Sequence, residues 1–419
     1  MRVSISKSRI SGRITAPSSK SYTIRGLFCA AMARGESEIV RALGSDDTEA
    51  AFDVLSKIGV RIDRKKDSWR VSGGDFHEPE TDLFCHESAL TIRFMTAIAS
   101  VVPGRCRLTA APSLARRPIE PMVEALVRLG VDCHYQPPVV VVNGTGHIGN
   151  TTSLAGNVSS QFVSALLLIS PFADKGMTIR ITTPLESQSF VIMTLECLKV
   201  FGVEVEASDN LRTFRTVGEH YRPARYLVEG DWTSASYFLA LGALGRDITV
   251  DNLNPESLQG DKCLTGFLKQ MGAEVTISGN SVRVKGTKLK SIDADLNECI
   301  DLLPTMAVLC AAATGESRLT GIARARLKES NRIAAVREGL ERMEIKVVES
   351  EESLTITGGN PKGAVIDSKN DHRIAMAFSV LGVLAGGTTI DRAECVGKTF
   401  PEYWEALQSI GGEVKLDEK

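Results

Sequence analysis

Hydrophobic and polar residues follow two alternating patterns along the chain. In the first, an amphipathic helix leads through an aliphatic residue into a glycine and a short alternating strand, as in LSKIGVRI, LVRLGVDC and LKQMGAEV. The position after the helix recurs as Gly59, Gly130, Gly202, Gly272, Glu344 and Gly411, in steps of 71, 72, 70, 72 and 67 residues by subtraction. So regular a period predicts a repeated structural unit.

The second pattern is an Ala-rich helix that opens at a polar residue and ends in a glycine and a β-branched strand, as in SYTIRGLFCAAMARGESEIV and NDHRIAMAFSVLGVLAGGTTI. Small residues on all of its sides indicate a buried helix, whereas the amphipathic helix has one exposed side. The runs SWRVSG, SVRVKG and SLTITG alternate as strands do. Each unit therefore predicts an inner helix, an outer helix and a small sheet, in the α/β class.

The length of the chain adds a domain count. Its 419 residues exceed the roughly 250–300 at which one hydrophobic core stops growing. We expect two domains of three units, with a boundary near 226–231, where the polar stretch TVGEHYRPARY gives way to the fourth inner helix.

Charge and cysteine content exclude several classes. Lys plus Arg (49) nearly balance Asp plus Glu (51), so no global field attracts nucleic acid or an anionic membrane, and any anion site must be local. The nine cysteines form no Cys-x-x-Cys pair and no His lies near them at ligand spacing, which favours reduced thiols without a metal. With no signal-like segment and no long apolar run, we expect a cytoplasmic protein.

Polar and basic residues gather where the helices begin. The inner helices open with Ser21, Ser88, Ser159 and Ser160, Ser234, Asp301 and Asp371. The nearby cations are Lys20, Arg25, Arg93, Arg117, Lys328, Arg332, Arg373 and Lys398. Alone, each is more often a cap or a surface charge. Converging helix amino ends carry partial positive charge and free N–H groups, so the set together favours a phosphate site.

Two short segments sharpen this hypothesis. Lys328, Glu329 and Arg332 are expected on one helical turn. In the segment 370–373 (NDHR), a His and an Arg open a buried helix, where both need partners. Asp301 precedes the apolar run LLPTMAVLCAAA, so its carboxylate is well placed to act as a base.

These motifs resemble those of the 5-enolpyruvylshikimate-3-phosphate synthase family along almost the whole chain. SSKS followed by Arg25 is similar to the family's Gly-Ser-Lys-Ser…Arg segment, Arg117-Pro118-Ile119 to its Arg-Pro-Ile turn, and Ser159-Ser160-Gln161 to its Ser-Ser-Gln motif. EGDWTSASYF, LKESNR, NDHR and KTFPEYW follow in the family's order.

The resemblance implies an enolpyruvyl transferase fold of the inside-out α/β barrel type. It has two similar domains joined by a hinge, each with three repeated α/β units of buried inner helices and sheets. The domains would span 14–227, and 1–13 plus 228–419. Substrates would bind in a cleft and draw the halves together, which excludes water from the reaction.

The implied activity is transfer of the enolpyruvyl (1-carboxyvinyl) group of phosphoenolpyruvate to the 5-hydroxyl of shikimate-3-phosphate, in the shikimate pathway of aromatic amino acid biosynthesis. The products are 5-enolpyruvylshikimate-3-phosphate and phosphate, formed through a tetrahedral intermediate. The shikimate-3-phosphate set would be Lys20, Ser21, Arg25, Ser159, Ser160, Gln161, Ser187, Asp301 and Lys328. The phosphoenolpyruvate set would be Lys20, Arg93, Arg117, Gln161, Arg332, Arg373 and Lys398.

The resemblance also implies proton roles. Asp301 would take the hydroxyl proton, and Glu329, helped by Lys20 or Lys398, would protonate the methylene carbon and reverse that step during elimination. No metal or cofactor is implied, because lysines and arginines would stabilise the charge. We expect a monomer.

Two positions depart from the family pattern. Ala89 stands where the family often has Gly beside phosphoenolpyruvate, which predicts weak inhibition by glyphosate because the methyl group would crowd a longer ligand. Phe190 replaces the family's usual Tyr and so lacks one hydroxyl near the acceptor ring.

Three alternatives stay open. The related UDP-N-acetylglucosamine 1-carboxyvinyltransferase usually has a reactive Cys in a mobile loop, and the corresponding stretch 111–118 (APSLARRP) has none. An RNA 3′-terminal phosphate cyclase would need a nucleophilic His and a larger basic surface. A non-catalytic repeat scaffold would not explain the cations at the helix ends.

Overall fold

A computed structural model of the chain describes residues 1–218, 220–286 and 288–417. Helices α1–α13 and strands β1–β24, numbered along the chain, alternate through this part of it. They form two compact units, Ser18–Glu229 and Met1–Pro17 with Gly230–Lys419.

Six helices are buried along nearly their whole length, as the Ala-rich pattern predicted. These inner helices are α1 (Lys20–Met32), α3 (Ala89–Ile98), α6 (Ser160–Ile169), α8 (Trp232–Ala243), α10 (Leu303–Ala312) and α12 (His372–Ala385). Small residues allow close approach to neighbouring elements. A Cβ on Gly26 of α1 would lie only 2.7 Å from the ring of Tyr226.

The outer helices alternate with the inner ones and have an exposed side. They are α2 (Asp46–Lys57), α5 (Glu120–Arg128), α7 (Gln188–Val200), α9 (Leu264–Gln270), α11 (Arg332–Arg342) and α13 (Tyr403–Ser409). One further short helix, α4 (Pro112–Ala115), precedes α5.

Within the described residues the strands form six four-stranded sheets, one for each repeat. Every sheet has the same plan, in which an edge strand pairs parallel to a second strand and two antiparallel strands complete it. In Ser18–Glu229 the sheets are β14 (Arg225–Leu227), β3 (Gly35–Val40), β5 (Ser68–Gly73), β4 (Arg61–Arg64); β6 (Leu83–Phe84), β7 (Gly104–Thr109), β9 (Val139–Gly144), β8 (Asp132–Gln136); and β10 (Thr151–Leu154), β11 (Thr178–Ile181), β13 (Thr213–Thr216), β12 (Val205–Ala207).

The second unit repeats this plan. Its sheets are β2 (Ser11–Thr15), β15 (Asp247–Asp251), β17 (Ser281–Lys285), β16 (Glu274–Ser278); β18 (Asp293–Asp295), β19 (Glu316–Thr320), β21 (Leu354–Thr357), β20 (Lys346–Glu349); and β22 (Val365–Asp367), β23 (Thr388–Asp391), β1 (Arg2–Ile5), β24 (Val414–Asp417). Both amino-terminal strands therefore pair with strands from the carboxyl-terminal half of the chain.

The chain passes between the units at two points. The sequence placed them at 13/14 and 227/228, whereas the structure divides the chain after Pro17 and after Glu229. The first point lies later because β2 continues to Thr15, which pairs with Asp251 of β15. The second follows β14, whose Leu227 pairs with Val40 of β3.

All six positions that marked the sequence repeat have a left-handed backbone. The φ angles at Gly59, Gly130, Gly202, Gly272 and Gly411 lie between 78° and 101°, and that at Glu344 is 63°. Each position turns the chain from an outer helix into a strand, so the predicted helix–turn–strand phrase is confirmed. Five of the six are glycine because a Cβ disfavours this conformation.

Each unit has its own hydrophobic core, built from inner helices packed against sheets. The nine cysteines are unbridged. Among the helices of the described ranges, none combines the length and the apolar character needed to cross a membrane.

Candidate active site

Serines cap the three inner helices of Ser18–Glu229, but not all at the predicted positions. Ser19, rather than Ser21, caps α1 and accepts from the backbone N–H of Tyr22 at 3.4 Å. Ser159 caps α6 and accepts from the N–H of Gln161 at 3.3 Å. Ser88 precedes α3, where its Oγ lies 2.8 Å from Thr91 Oγ1.

Arg93, Ser159 and Gln161 come together in this unit. Arg93 Nη1 donates to Gln161 Oε1 at 2.7 Å and to Ser159 Oγ at 3.1 Å. Its guanidinium carbon lies 4.9 Å from the ring centroid of Phe162, and the residue is 5% exposed. These contacts fix the guanidinium between α3 and α6, beside Ser160 in the first turn of α6.

Lys20 has a partner that the sequence did not suggest. Its Nζ donates to Asp47 Oδ2 at 2.8 Å. Asp47 lies in the first turn of α2, where a carboxylate is already explained by the helix dipole. The composition of that turn therefore hid the second use of this side chain.

Arg25 is almost fully buried and is held by neutral acceptors. Its guanidinium donates to Thr194 Oγ1 at 2.9 Å, to the carbonyl of Phe190 at 2.9 Å and to the carbonyl of Ser21 at 3.1 Å. Burial lowers the pKa of Arg25, yet an arginine stays protonated in proteins. The phenyl ring of Phe190 also faces it, 5.9 Å from the guanidinium carbon.

Two further residues of the predicted set lie at starts of outer helices. Ser187 is the N-cap of α7 and has a left-handed backbone with a φ of 51°. Arg117 follows α4, two positions before Ile119, the N-cap of α5. The structure thus places both at helix amino ends, as the sequence indicated for Arg117.

Asp301 lies at the centre of a buried ionic cluster in the other unit. It belongs to the 3-10 segment Asn297–Leu302, and Leu302 is the N-cap of α10. Its carboxylate accepts from Arg332 Nη1 at 2.6 Å and from Arg373 Nη2 at 3.1 Å, and Lys328 Nζ lies 3.2 Å away. Asp301 is therefore not a simple cap, because three cations share its oxygens.

The protonation of Asp301 follows from these charges. Burial by itself would raise the pKa of this carboxyl. The charges of Arg373, Lys328 and Arg332 outweigh burial and hold the pKa of Asp301 well below its usual range. The residue is ionised at neutral pH.

Arg332 bridges three carboxylates. It is 1% exposed; Nε donates to Asp371 Oδ2 at 2.8 Å, Nη1 to Asp301 and Nη2 to Glu329 Oε2 at 2.5 Å. Burial acts to lower the pKa of Arg332, but the charges of Asp371, Glu329 and Asp301 raise it. The sequence identified Arg332 as a ligand of an anion and missed Asp371 as its partner.

The prediction that Lys328, Glu329 and Arg332 share a helical turn is wrong. Helix α11 begins only at Arg332, because Asn331 is its N-cap and accepts from the N–H of Ala334 at 3.2 Å. The chain before it is extended, with φ and ψ of −88° and −159° at Lys328. A bend, and not a helix face, brings the three side chains to one cluster.

Asp371 organises the start of α12. Its Oδ1 accepts from the backbone N–H of Arg373 at 3.0 Å, and its Oδ2 accepts from Ser330 Oγ at 3.0 Å. Lys398 is 7% exposed and its Nζ donates to the carbonyl of Asn370 at 2.9 Å. The predicted residues Asp301, Lys328, Glu329, Arg332, Arg373 and Lys398 thus gather around the amino ends of α10, α11 and α12.

Within the described ranges Nε of Arg373 is buried and makes no hydrogen bond of good geometry, although Arg373 acts on the nearby hydroxyl of Tyr237. A buried guanidinium of this kind favours the approach of an anion. Over the same ranges, no three His, Cys, Asp or Glu side chains are grouped as metal ligands would be.

Comparison with known proteins identifies the family to which the chain belongs. The family model described as EPSP synthase (3-phosphoshikimate 1-carboxyvinyltransferase) matches residues 5–407. The chain belongs to the EPSP synthase family. A 3-phosphoshikimate 1-carboxyvinyltransferase of Dehalococcoides mccartyi is 46% identical over 419 residues, covering 100% of each chain. One from Methanosarcina acetivorans is 39% identical over 429 residues, covering 99% of each.

Solved structures of EPSP synthases are similar along the whole chain. The enzyme of Acinetobacter baumannii superimposes with a TM-score of 0.83 at 26% identity, covering 99% of this chain and 100% of that one. The predicted enolpyruvyl transferase fold, with two domains of three repeated α/β units, is confirmed. The UDP-N-acetylglucosamine alternative is not favoured by these relatives.

Proposed function

We propose that this chain transfers the 1-carboxyvinyl group of phosphoenolpyruvate to the 5-hydroxyl of shikimate-3-phosphate, releasing phosphate. The observation that carries the proposal is the buried cluster around Asp301 in a member of the EPSP synthase family. A carboxylate held by three cations is suited to a reaction between anionic substrates in which a hydroxyl proton must be removed.

Shikimate-3-phosphate is proposed to bind the serines and cations at the helix starts of Ser18–Glu229. The positive charge of Arg25 is not neutralised by its hydrogen-bond acceptors, all of which are uncharged. Ser159 and Ser160 lie at the amino end of α6, where N–H groups favour an anion. Lys20, Ser21, Gln161 and Ser187 are further members of the proposed set, which also includes Asp301 and Lys328.

Phosphoenolpyruvate is proposed to bind the arginines. Arg93 is held in a fixed orientation by Gln161 and Ser159, so its guanidinium is pre-organised for an oxyanion. Lys20, Arg117, Gln161, Arg373 and Lys398 belong to the same set. Both sets of residues are proposed to serve one reaction.

Arg332 already donates to three carboxylates, so an anionic substrate can bind it only by displacing one of them. An anion that accepts a hydrogen bond from Nη2 would displace Glu329 Oε2, which lies 2.5 Å from that atom. The released Glu329 could then exchange a proton with the methylene carbon. Arg332 is therefore proposed to couple phosphoenolpyruvate binding to the availability of Glu329.

The bond changes are an addition followed by an elimination. The 5-hydroxyl oxygen bonds to C2 of phosphoenolpyruvate while its proton passes to Asp301 and the methylene carbon gains a proton from Glu329, helped by Lys20 or Lys398. In elimination the methyl group returns a proton to Glu329, the C2=CH2 double bond re-forms, and the bond from C2 to the phosphate oxygen breaks, so phosphate leaves with that electron pair. Three cations make Asp301 a weak base until anionic substrates draw part of that positive charge toward themselves.

The decisive experiment measures phosphate release from phosphoenolpyruvate with shikimate-3-phosphate, and in parallel with UDP-N-acetylglucosamine. Release with shikimate-3-phosphate alone supports the proposal. Release with the nucleotide sugar alone reassigns the acceptor, and no release with either contradicts the proposed reaction.

Substitutions extend the test to the proposed proton roles. Asp301→Asn and Glu329→Gln should each lower kcat by about 10²–10⁴-fold, the range for loss of a general acid or base. Glu341→Gln is a matched control on α11, because that carboxylate is 46% exposed and pairs with Arg337 at 2.9 Å. The control should keep full activity.

We also propose that the protein acts in the cytoplasm as a monomer. Its near-balanced charge, −2 overall, gives no general attraction to membranes or nucleic acid. Light scattering coupled to size-exclusion chromatography would measure the mass, for which 45.2 kDa is the monomer value.

A further inference from the structure

Asp261 is a buried carboxyl that the proposed reaction does not use. It lies in the 3-10 segment Gly260–Cys263 and is 4% exposed. Its Oδ2 accepts a hydrogen bond from Thr233 Oγ1, in the first turn of α8. The sequence LQGDKC gave no reason to single it out.

The surroundings of Asp261 connect it to the ionic cluster. Its segment packs against Asn297–Leu302, which carries Asp301, and against α8. The charged groups that act on it are Asp301, Arg373 and Asp231, the N-cap of α8. The charge of Asp261 also acts on the thiol of Cys299. Asp261 and Asp301 are thus two carboxyls that both interact with Arg373.

The electrostatics of this position favour a proton near neutral pH. Burial first, and then the charge of Asp301, raise the pKa of Asp261 to about 7, although Arg373 and the hydrogen bond from Thr233 act in the opposite direction. Two carboxyls near one cation titrate as a coupled pair.

We propose that Asp261 is a positioning residue whose charge state sets how strongly Arg373 attracts an anionic substrate and how strongly Asp301 attracts a proton. The proposal rests on the proposed function, in which Arg373 contacts phosphoenolpyruvate and Asp301 takes the hydroxyl proton. Asp261 itself touches neither substrate.

The two charge states have opposite effects on binding and turnover. When Asp261 is protonated, the full charge of Arg373 is available to phosphoenolpyruvate, and Asp301 is held as a weak base. When Asp261 is ionised, its charge offsets part of that of Arg373 and raises the proton affinity of Asp301. Raising the pH through neutrality therefore weakens phosphoenolpyruvate binding and speeds the proton transfer.

The test compares the wild type with Asp261→Asn, which keeps the shape and an acceptor for Thr233 but cannot ionise. The kcat and the KM for phosphoenolpyruvate are measured from pH 6 to pH 8, and each is expressed as the ratio of wild type to variant, so that ionisation of the substrate cancels. The ratios should be near one at pH 6. At pH 8 the wild type should have both the higher KM and the higher kcat, each by about three- to tenfold.

Thr233 provides a second pair of variants. Thr233→Val removes the hydrogen bond that favours the ionised form of Asp261. The pH at which kcat and KM begin to differ from those of Asp261→Asn should therefore be higher for Thr233→Val than for the wild type. Thr233→Ser keeps a hydroxyl and should leave that pH unchanged. If Asp261 had only a structural role, Asp261→Asn would lower kcat by the same factor at every pH, and this effect would not depend on the hydroxyl of Thr233.

Two results would overturn the inference, and they differ from each other. Ratios of kcat and KM that stay constant from pH 6 to pH 8 refute the role of Asp261 while leaving the proposed reaction intact. Absence of phosphate release by the wild type at every pH refutes the reaction, and the role of Asp261 in it as well. In that second case, unfolding temperatures of the wild type and Asp261→Asn would still diverge with pH.

Discussion

Two buried arginines differ in the groups that accept their hydrogen bonds, and this difference determines how much each side chain contributes to stability. Arg25 donates to uncharged oxygens, whereas Arg332 donates to Asp301, Glu329 and Asp371. Removing a cation from among buried carboxylates leaves charge without compensation, which costs more than removing a cation that only neutral groups contact. Loss of Arg332 should therefore destabilise the fold more than loss of Arg25.

Arg332→Met should lower the free energy of unfolding by about 3–5 kcal/mol at pH 8, and Arg25→Met by about 1–3 kcal/mol. The loss in Arg332→Met should be smaller at pH 5, because the carboxylates that lose their cation can then bind protons. Urea unfolding at the two pH values measures this. Equal losses for both variants, independent of pH, would contradict the argument.

Ala89 allows a test of ligand selectivity at a single methyl group. It is the first residue of α3 and is 7% exposed. Ala89→Gly should strengthen inhibition by glyphosate about ten- to hundredfold, the range for relieving one methyl clash, with little change in the KM for phosphoenolpyruvate. Ala97→Gly, a fully buried position on the same helix, controls for loosening of the helix. Potent inhibition of the wild type would refute the role of the methyl group.

The sequence located most of these residues but not their pairings. Lys20, Arg93, Asp301 and Arg373 are recognisable because motifs and helix starts mark them. Two of the three acceptors of Arg332 are not, because Asp301 and Asp371 lie 31 and 39 residues away. Contacts of that kind depend on how sheets and helices pack, which local pattern does not contain.

Among the secondary-structure elements, the six repeated units were predictable because the marker residues recur at a regular spacing along the sequence. Helix, left-handed turn and strand recur with the same residue types, so the positions from Gly59 to Gly411 marked real turns. The parallel edge strands were not predictable in the same way. Strand β6 has only two residues and β14 three, too few to show an alternating pattern.

Glu344 is the one marker position of the repeat that is not glycine. Its backbone φ is 63° and its side chain is exposed. Glu344→Gly should raise the free energy of unfolding by about 1 kcal/mol, because it relieves a backbone that L-residues disfavour. That corresponds to about 2–4 °C in Tm for a unit of this size. Glu344→Ala should change little, since it keeps the Cβ.

Gly130 supplies the reverse experiment. Its φ is 78°, and a Cβ there would meet no atom within 4 Å. Gly130→Ala should therefore destabilise through the backbone alone, by about 1 kcal/mol. Calorimetry that finds no loss for Gly130→Ala and no gain for Glu344→Gly would refute the backbone explanation.

At the scale of the whole molecule, two carboxyls of one unit oppose each other in pH dependence. The pKa of Asp301 is depressed, so its stabilising contribution is present above pH 4 and is lost as the pH falls below that. The pKa of Asp261 is raised to about 7, so the stability associated with its protonated form is complete only below about pH 4, the ordinary pKa of an aspartate, and is lost as the pH rises from there to 7. Asp261→Asn should exceed the wild type by roughly 2–4 kcal/mol at pH 9, and this difference should become much smaller at pH 4, as measured by urea unfolding.

The path of the chain makes a further prediction for the molecule as a whole. Ser18–Glu229 is continuous in sequence and has its own core, whereas the other unit combines Met1–Pro17 with Gly230–Lys419. A fragment of residues 18–229 keeps the partners of all its sheets, including β14 on β3, and should unfold cooperatively on its own. Since it carries most of the proposed shikimate-3-phosphate set, it should bind that ligand more weakly than the full chain and release no phosphate.

Calorimetric titration of the fragment measures this binding, and Ser159→Ala in the fragment is its control, because it removes both a helix cap and an acceptor of Arg93. A fragment of residues 230–419 should not fold well, because the sheets of β15 and β23 would lose β2 and β1. Adding a peptide of residues 1–17 should then restore structure by supplying both strands. If 18–229 failed to fold while 230–419 folded without the peptide, the division into units would be refuted as a description of folding.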